Sequence, residues 1–481
     1  MSTLAFVRER AYVDSVSLLQ ASAEVLGLPG VEDAALVMAT DLNRELLRES
    51  GLLTSEATTA SANDLVMSVR ATSEAAARAA LEHAEALLLR RRIPPGGEST
   101  SSPPRSIRSA RRLASDARLA VISVPGPFAA GEARLALADG MHVFLFSDNV
   151  PLEAEVALKL AARRRDLMVM GPDCGTAILQ GVGLGFANVV NRGPIGVVGA
   201  SGTGIQEVTS LVHQLGGGIS HAIGTGSRDM HADVGGITTL QALELLRDDP
   251  RTETIVLISK PSDPRVAAEV LQALARTQKR AVAYLQSSVV ELPERVVRAN
   301  TLEAAARLAV TQSAPEDSSH VGRVSDAAVP REVRGLFCGG TLCQEAAILL
   351  GDGHTLEDFG DDQYTRGRAH PMIDPTLRNQ AIAQAGRDPR VGVLLLDFIL
   401  GRGAHTDPAG AALPAIEDAV AAARAEGREL RVVARVVGTD LDPQRLTRQE
   451  AALRAAGVHV YGSNAAAALA AAALLHGTAV A

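Results

Sequence analysis

The chain has 481 residues, of which 47% are hydrophobic but only 2% aromatic, with no tryptophan. This length predicts two to four domains, and cores built from Val, Leu, Ile and Ala favour α/β layers. The net charge of -8 argues against a nucleic-acid partner.

The three cysteines, at 174, 338 and 343, give no disulfide framework and no paired metal ligands, so no metal site is expected. The amino-terminal stretch has charges at positions 8, 9, 10 and 14, which is not the pattern of a signal peptide. No apolar run is long enough to span a bilayer. The sequence therefore predicts a soluble, cytoplasmic protein without a membrane partner.

Residues 1–95 predict a small α+β unit. The stretch "AYVDSVSLLQASAEVLGLPGVEDAALVMAT", which starts at residue 11, is interpreted as strand, helix and strand, and a further strand and helix follow. This split βαβ order is typical of a ferredoxin-like layer. The Pro/Gly/Ser-rich stretch after it predicts a linker at 96–112.

Three further α/β layers are predicted after this unit. The short apolar strands of 113–191, such as "LAVISVPG" and "MHVFLFS", and those of 192–312 alternate with helices. A Ser/Pro/Asp-rich stretch predicts a second linker at 313–330, and 331–481 holds the last layer. Parallel strands of this kind place ligand loops at their carboxyl ends.

The stretch "GVVGASGTGIQEVTSLVHQLGGG" (196–218) predicts a strand, a loop of small residues and a helix. An open helix N-terminus favours an anion, because free N–H groups and the helix dipole point at it. The expected phosphate ligands are the N–H groups of 202–204 and the hydroxyls of Ser201 and Thr203. The alternative is a tight turn in which Gly202 and Gly204 allow the bend and Ser201 caps the helix.

Several motifs carry a resemblance. "MGPDCGTA" (170–177) and "IGVVGASGTGIQEV" (195–208) resemble the succinyl-CoA synthetase α subunit, and "VPGPFA" (124–129) resembles its CoA-domain loop. The segment 370–408, from "HPMIDP" to "RGAHTDP", resembles the carboxyl-terminal domain of the β subunit. Together on one chain they are similar to the FdrA family of acyl-CoA-synthetase-like proteins. The resemblance implies an α/β fold with a Rossmann-like CoA-binding-type domain at 113–191 and flavodoxin-like domains at 192–312 and 331–481.

The sequence departs from the synthetases at the phosphate carrier. Their phosphorylated histidine would follow "RAVAYLQ" (280–286), but no histidine occurs between 232 and 319. The chain has no ATP-grasp half. The unrelated residues 1–110 stand where the synthetase α subunit has its opening Gly-rich CoA loop. CoA binding is therefore doubtful, and no cofactor is certain. Lys260 stands where the synthetases place a glutamate that holds the phosphohistidine; a cation there favours a free phosphate group.

The resemblance also implies that the loop 201–204 faces 401–410 across a cleft, with Gly401, Arg402, Gly403 and His405 near the phosphate. The segment "GISHAIGTGSRD" (218–229) adds His221 and Arg228, and Asn188 and Cys174 are candidate wall residues.

For four residues a purely structural role stays open as the alternative. His405 would be a loop residue that caps a turn, and His221 would be a core histidine with its hydrogen bonds satisfied. Asp397 would be an N-cap at the end of its strand, and Lys260 would be a solvated loop lysine.

The expected activity is that of a subunit of a carbamoyl- or acyl-phosphate transferase. Through the FdrA resemblance, oxamate carbamoyltransferase of purine and allantoin breakdown is the first candidate, with carbamoyl phosphate and a small carboxylate as substrates and other subunits as partners. One alternative is an acyl-CoA synthetase subunit that needs a partner ATP-binding chain. Another is a non-catalytic scaffold subunit.

Overall fold

The computed structural model describes residues 2–11, 13, 15–91, 104, 106–311, 332–365 and 369–475. The chain forms two compact units. The first comprises Met1–Leu113, Ser123–Pro125 and Asp362–Ala369, and the second comprises Ala114–Ile122, Gly126–Asp361 and His370–Ala481. Within the described ranges, no helix combines the length and the hydropathy needed to cross a bilayer.

The first unit is built on a three-stranded antiparallel sheet. Its elements are β1 (Ser2–Arg8), α1 (Ser15–Leu26), β2 (Val31–Met38), α2 (Asp41–Glu49), α3 (Ser55–Thr59), β3 (Leu65–Ala71), α4 (Glu74–Arg91) and α5 (Ile107–Leu113). Strand β3 lies between β1 and β2 and runs antiparallel to both. This splits the β1–α1–β2 unit, as expected of a ferredoxin-like layer.

The prediction misplaced the first strand and part of the first linker. Strand β1 ends before Arg10, whose positive φ of 50° turns the chain and whose N–H donates to Asp64 Oδ1 at 2.8 Å. Of the predicted linker 96–112, residues 107–112 are helical, while most of its remainder and all of 313–330 lie outside the described residues.

The second unit begins with a small parallel sheet. Its elements are β4 (Leu119–Ile122), α6 (Gly126–Ala138), β5 (His142–Leu145), α7 (Leu152–Arg163) and β6 (Val169–Met170). The strand order is β4-β5-β6. A Cβ at Gly126 would lie 2.4 Å from the carbonyl oxygen of Asp148, so only glycine fits at the start of α6.

A seven-stranded sheet follows. Its elements are β7 (Thr176–Leu179), β8 (Val182–Gly185), β9 (Arg192–Gly199), α8 (Gly202–Gln214), β10 (Ile219–Gly224), α9 (Ile237–Asp248), β11 (Thr254–Ser259), α10 (Pro264–Arg276), β12 (Arg280–Leu285), β13 (Val296–Arg298) and α11 (Leu302–Thr311). The order is β13-β12-β11-β9-β10-β7-β8. Strands β9 to β13 are parallel, in flavodoxin order. The β7–β8 hairpin, from the predicted segment 113–191, extends this sheet antiparallel to β10.

The last sheet has five parallel strands. The elements from here on are β14 (Glu332–Phe337), α12 (Gly340–Leu350), β15 (Thr355–Asp358), α13 (Asp362–Thr365), α14 (Thr376–Ala385), β16 (Val391–Ile399), α15 (Pro408–Ala425), β17 (Arg431–Val437), α16 (Leu446–Ala455), β18 (His459–Tyr461) and α17 (Asn464–Leu475). Helix α13 belongs to the first unit. The order β15-β14-β16-β17-β18 is again that of flavodoxin. All residues of β16 are buried, as a central parallel strand requires.

These two sheets confirm the predicted α/β class and position the site. In flavodoxin-type sheets, ligands bind where the connections reverse direction, at the carboxyl ends of the first and third strands. In the seven-stranded sheet those strands are β9 and β11, and in the five-stranded sheet they are β14 and β16. Helix α8 follows β9 and helix α12 follows β14, so each helix begins at such a point.

Candidate anion site between two helix N-termini

Helix α8 begins with an N-cap that uses part of the predicted phosphate loop. Ser201 Oγ accepts a hydrogen bond from the N–H of Gly204 at 2.9 Å. This satisfies one of the N–H groups that the first turn of a helix leaves free. Within the described chain, the N–H groups of Gly202 and Thr203 and the half-buried Thr203 hydroxyl have no partner. They remain available to a ligand.

Helix α12 begins on a turn that a buried carboxylate holds. Asp397, in β16, accepts the N–H groups of Cys338 at 2.6 Å and Gly339 at 2.8 Å. Arg378 donates to Asp397 Oδ1 at 3.1 Å and to its carbonyl at 2.6 Å. Asp397 therefore anchors the turn, so neither carboxylate oxygen is free for a ligand. Within the described residues, the N–H groups of 340–342 have no partner.

The two helix N-termini meet. Ser201 Oγ and Thr341 Oγ1 lie 2.6 Å apart, and both side chains are buried. A Cβ at Gly339 would lie 3.0 Å from Thr203 Oγ1, so a side chain at 339 would require Thr203 to shift. We call this place the helix-terminus site and define it by Gly202, Thr203, Lys260, Gly340, Thr341 and Asp358. The partial positive ends of both helices point at it.

Lys260, which follows β11, reaches this site. Its Nζ lies 3.5 Å from the position of a Cβ at Gly340. The sequence contains three lysines. Lys159 is buried in ion pairs with Glu155 and Asp229, and Lys279 donates to two carbonyls. Lys260, by contrast, forms no ion pair with any described residue.

Three polar side chains at this place were missed by sequence reasoning. Asp358 ends β15, and burial raises the pKa of its carboxyl to about 6 although the Lys260 charge acts in the opposite direction. Thr176 Oγ1 is buried without a hydrogen-bond partner and lies 3.6 Å from the position of a Cβ at Gly202. Burial also lowers the pKa of His370 to about 4, which keeps its imidazole neutral at pH 7.

The direct contact of the 201–204 loop is with the turn 338–341, through Ser201 and Thr341, which was not predicted. That 201–204 faces 401–410 across a cleft stays a prediction; Gln206 Nε2 in α8 donates to the Leu400 carbonyl at 3.3 Å. The loop at 401 packs on the strand end at 186–187. A Cβ at Gly401 would lie 2.6 Å from the Phe186 carbonyl oxygen, and the N–H of Arg402 donates to the Ala187 carbonyl at 3.0 Å. Gly401 and Gly403 both have positive φ and permit this close approach.

The remaining predicted residues of the 401–410 loop are oriented by the backbone. The Arg402 side chain is exposed, and its Cδ lies 3.7 Å from the position of a Cβ at Gly183. His405 Nδ1 accepts the N–H of Asp407 at 3.1 Å, which is the capping role that the structural alternative describes.

Asn188 and Arg228 are occupied by protein partners. The Asn188 amide donates to the Leu400 carbonyl and to Asp442, each at 2.9 Å. Arg228 pairs with the buried Glu155 at 2.9 Å and donates to the Val150 carbonyl. Both side chains therefore stabilise the packing of neighbouring segments and do not join the helix-terminus site.

His221 and Cys174 lie in the core. The His221 side chain is 8% exposed and lies 3.6 Å from Asp249, near the amino end of β11, which is the edge of the sheet opposite to the helix-terminus site. Desolvation lowers its pKa, although Asp249 acts in the opposite direction. Burial raises the pKa of the Cys174 thiol to about 12, so the thiolate needed for nucleophilic attack does not form at neutral pH.

Three family profiles match the chain. "AllF, heavy metal-associated domain" matches residues 1–103, "CoA binding domain" matches 190–287 and "CoA-ligase" matches 336–474. In the described residues, no group of three or more His, Cys, Asp or Glu side chains is placed to hold a metal ion. The CoA-binding match falls on the first flavodoxin-type sheet, and the assignment of a CoA-binding-type domain to 113–191 stays a prediction.

Succinate–CoA ligases are similar to a central part of the chain. The α subunit 2 of Archaeoglobus fulgidus is 28% identical over 177 residues, which cover 36% of this chain and 60% of that protein. The α subunit of Aquifex aeolicus is 30% identical, with coverages of 32% and 52%. The match thus spans a little over half of these subunits. A solved acetyl-coenzyme A synthetase 1 of Ca. Korarchaeum cryptofilum is 15% identical, covers 74% of this chain and 82% of its own, and has a TM-score of 0.32.

A longer similarity extends over the whole chain. A protein of Escherichia coli (strain K12), described as "Uncharacterized protein YahF", is 40% identical over 501 residues. The alignment covers 96% of this chain and 97% of that protein, so it includes the amino-terminal unit together with the CoA-binding and CoA-ligase segments. The chain therefore belongs to the family of the Escherichia coli protein YahF.

Proposed function

We propose that this chain is a subunit of a carbamoyl- or acyl-phosphate transferase that binds phosphate at the helix-terminus site. One observation carries the proposal: two helix N-termini from different sheets meet, and beside them lies Lys260, which forms no ion pair with a described residue. Free N–H groups and a lysine are the ligands that phosphate prefers. The unpartnered Thr176 hydroxyl next to Gly202 supplies a further donor.

An acyl phosphate fits this site better than a phosphorylated histidine. No histidine occurs between residues 232 and 319, where the resemblance to the synthetases places the phosphate carrier. His370 stays neutral because burial lowers the pKa of its imidazole, and Lys260 would repel a charged imidazole. A substrate that arrives already activated needs neither a carrier nor ATP.

The transferase roles follow from electrostatics. The N–H groups of Gly202 and Thr203 and the Lys260 ammonium hold the phosphate and stabilise the charge that grows on it as the carbonyl–oxygen bond breaks. The exposed Arg402, on the loop after β16, is the candidate ligand for a substrate carboxylate. His405 lies on the same loop. Its Nδ1 accepts the Asp407 N–H, and through this bond His405 would position the loop that carries Arg402.

Carbamoyl phosphate and oxamate are the proposed substrates, giving oxalurate and phosphate. The match of residues 1–103 to an AllF domain, which is allantoin-related, supports a place in purine and allantoin catabolism. The similar succinate–CoA ligases are α subunits by name, and this supports a hetero-oligomeric complex with other chains. CoA is not required by this reaction.

A second candidate is an acyl-CoA synthetase subunit. The matches to the CoA-ligase and CoA-binding families favour it. In that case a partner chain would supply the nucleotide site. A third candidate, a non-catalytic scaffold subunit, would bind phosphate at the same place without turnover.

The decisive experiment assays the purified chain with and without the proteins encoded beside it. Carbamoyl phosphate is supplied with and without oxamate, and phosphate release and oxalurate are measured. A parallel assay supplies ATP, CoA and a carboxylate and measures the thioester and acid-labile protein phosphate. Oxamate-dependent release that requires this chain supports the transferase. Thioester formation or a labelled histidine would overturn the transferase in favour of the ligase. Phosphate release that persists without this chain would favour the non-catalytic scaffold subunit.

A further inference from the structure

Asp358 is a carboxylate that lies beside Gly340, the first residue of α12. Its Oδ1 accepts the N–H of Gly360 at 2.8 Å, which fixes the orientation of the group. Its Oδ2 lies 2.3 Å from the position of a Cβ at Gly340, so it rests against the first turn of the helix. No described residue donates a hydrogen bond to this second oxygen. One carboxylate oxygen is therefore anchored, and the other has no partner among the described residues at the place where the substrate is expected.

A positive charge lies near the same position. Lys260 Nζ is 3.5 Å from the position of a Cβ at Gly340 and acts on the Asp358 carboxyl, yet it forms no ion pair with Asp358 in the described part of the chain. A small anion bound at the start of α12 would therefore lie beside both groups. Glycine at 340 is required for this arrangement, because any side chain there would displace the Asp358 carboxylate.

A second, independent feature points to a ligand at this place. Thr176 is 1% exposed, and its Oγ1 has no hydrogen-bond partner. The atom lies 3.6 Å from the position of a Cβ at Gly202, at the N-terminus of α8. A buried hydroxyl without a partner is costly, because it has given up its hydrogen bonds to water. A phosphate oxygen that accepts from Thr176 would remove this cost.

We propose that Asp358 is the general base of the transfer reaction, and that Lys260 and the helix N-termini hold the departing phosphate. This inference rests on the proposed function. The amide nitrogen of the acceptor attacks the carbonyl carbon of carbamoyl phosphate, forming the N–C bond. Asp358 Oδ2 takes the proton from that nitrogen, the carbon–oxygen bond to phosphate breaks, and the proton passes to the phosphate. Asp358 returns to its carboxylate form, and no oxidant or nucleotide is needed.

An amide nitrogen needs such a base, because it is a weak nucleophile until its proton leaves. General-base catalysis contributes about 10²- to 10⁴-fold. The groups that act on Asp358 are the Lys260 ammonium and the carboxylates of Asp397 and Asp361. The His370 imidazole, 2.7 Å from the position of a Cβ at Gly360, lies on the same side and is neutral. The pKa of about 6 leaves Asp358 ionised above pH 6, in the form that a base requires.

The test compares Asp358→Asn with wild type and with Asp352→Asn. Asp352 is an exposed residue before the amino end of the same strand, so its variant matches the change of charge away from the site. The assay with carbamoyl phosphate and oxamate is run from pH 5 to pH 8 in the complete complex. Thermal protection by inorganic phosphate is measured in parallel, because an asparagine at 358 keeps an acceptor for the Gly360 N–H and should fold.

Asp358→Asn is expected to retain phosphate protection and to lose turnover by about 10²-fold or more. The acidic limb of its pH profile, which in wild type has an apparent pKa near 6, should disappear, and Asp352→Asn should behave as wild type. Wild-type turnover and an unchanged acidic limb in Asp358→Asn would overturn the role of Asp358 alone. Absence of oxamate-dependent turnover in the wild-type complex would overturn the proposed function and this inference with it.

Discussion

Ser201 Oγ and Thr341 Oγ1 lie 2.6 Å apart and join the first turns of two helices that belong to different sheets. Both side chains are buried, so the contact belongs to the packed interior and is not a solvent-exposed surface contact. Gln286 adds to it, since its amide donates to the Thr341 carbonyl at 3.1 Å. The helix-terminus site therefore exists only when the seven-stranded and five-stranded sheets are packed together.

Replacing Lys260 tests the cation at this site. We expect Lys260→Met to lower phosphate release from carbamoyl phosphate by about 10²-fold, on the order of one electrostatic contact to the developing charge. Lys260→Glu should abolish release, because it adds a repulsive charge, whereas Lys260→Arg should retain part of it. Steady-state rates in the complete complex measure all three.

Arg276→Met is the control for this series. Arg276 is an exposed residue in the last turn of α10, at the opposite end of the helix that follows Lys260. Arg276→Met removes one positive charge, as Lys260→Met does, but at a place that does not contact the helix N-termini. Equal rates for Lys260→Met and Arg276→Met would identify Lys260 as a solvated loop lysine.

The sequence predicted the architecture better than the site. Flavodoxin-type layers follow from short apolar strands that alternate with helices, and the structure confirms them in both sheets. The partner of the 201–204 loop could not be predicted in the same way, because contacts between separate sheets leave no local periodicity. A signal existed all the same: "LFCGGTLCQEA" (336–346) repeats the pattern of strand, small residues and helix found in "VVGASGTGIQE" (197–207).

The roles of individual side chains were harder to predict for a related reason. Asn188 and Arg228 are polar residues in loops rich in small residues, which is typical both of ligand contacts and of structural contacts. Only the fold shows that Asp442 and Glu155 already pair with them. Asp358 was not predicted as a site residue, because its proximity to Gly340 depends on strand order and not on sequence separation.

The buried ion pair between Glu207 and Arg435 should be essential for packing of the two sheets. Arg435 Nε and Nη2 donate to Glu207 Oε2 at 3.0 and 2.9 Å, and the Asn464 N–H donates to Oε1 at 2.9 Å. Removing one partner leaves a buried charge, so Arg435→Met should lower the free energy of unfolding by about 3 to 5 kcal/mol. Urea unfolding measures this change.

The double variant Glu207→Leu with Arg435→Met distinguishes the unpaired charge from a loss of shape. With both charges gone, we expect the destabilisation to be smaller than in Arg435→Met alone. If the two single variants and the double variant simply add, the pair contributes no coupling and α8 is held by apolar contacts.

His370 should make the fold sensitive to acid. Burial lowers the pKa of its imidazole from 6.5 to about 4, so between these values the unfolded chain binds a proton that the folded chain does not. Its contribution to stability is complete above pH 6.5 and is lost as the pH falls towards 4. At pH 5 this amounts to at most about 2 kcal/mol.

Unfolding of His370→Gln at pH 5 and pH 8 measures the effect. The variant should lose less stability than wild type between the two values. Asp358 acts in the opposite direction, since its raised pKa makes stability fall as the pH rises from 3.8 to about 6. The comparison is therefore made between the variant and wild type at each pH. An equal acid loss in both proteins would show that His370 is as solvated in the native state as in the unfolded chain.

Thr203→Asp tests whether the helix-terminus site binds an anion. Thr203 is half-buried in the first turn of α8, where an aspartate normally stabilises a helix by about 0.3 to 1 kcal/mol. The same carboxylate would repel phosphate and compete for the free N–H groups. We therefore expect a variant that folds as well as wild type but is no longer protected against thermal unfolding by inorganic phosphate or carbamoyl phosphate. Thr203→Asn, which has the same shape without the charge, should retain most of the protection. Equal protection of the two variants would place the phosphate elsewhere, because a fixed negative charge at 203 cannot be neutral to an anion held by the same turn.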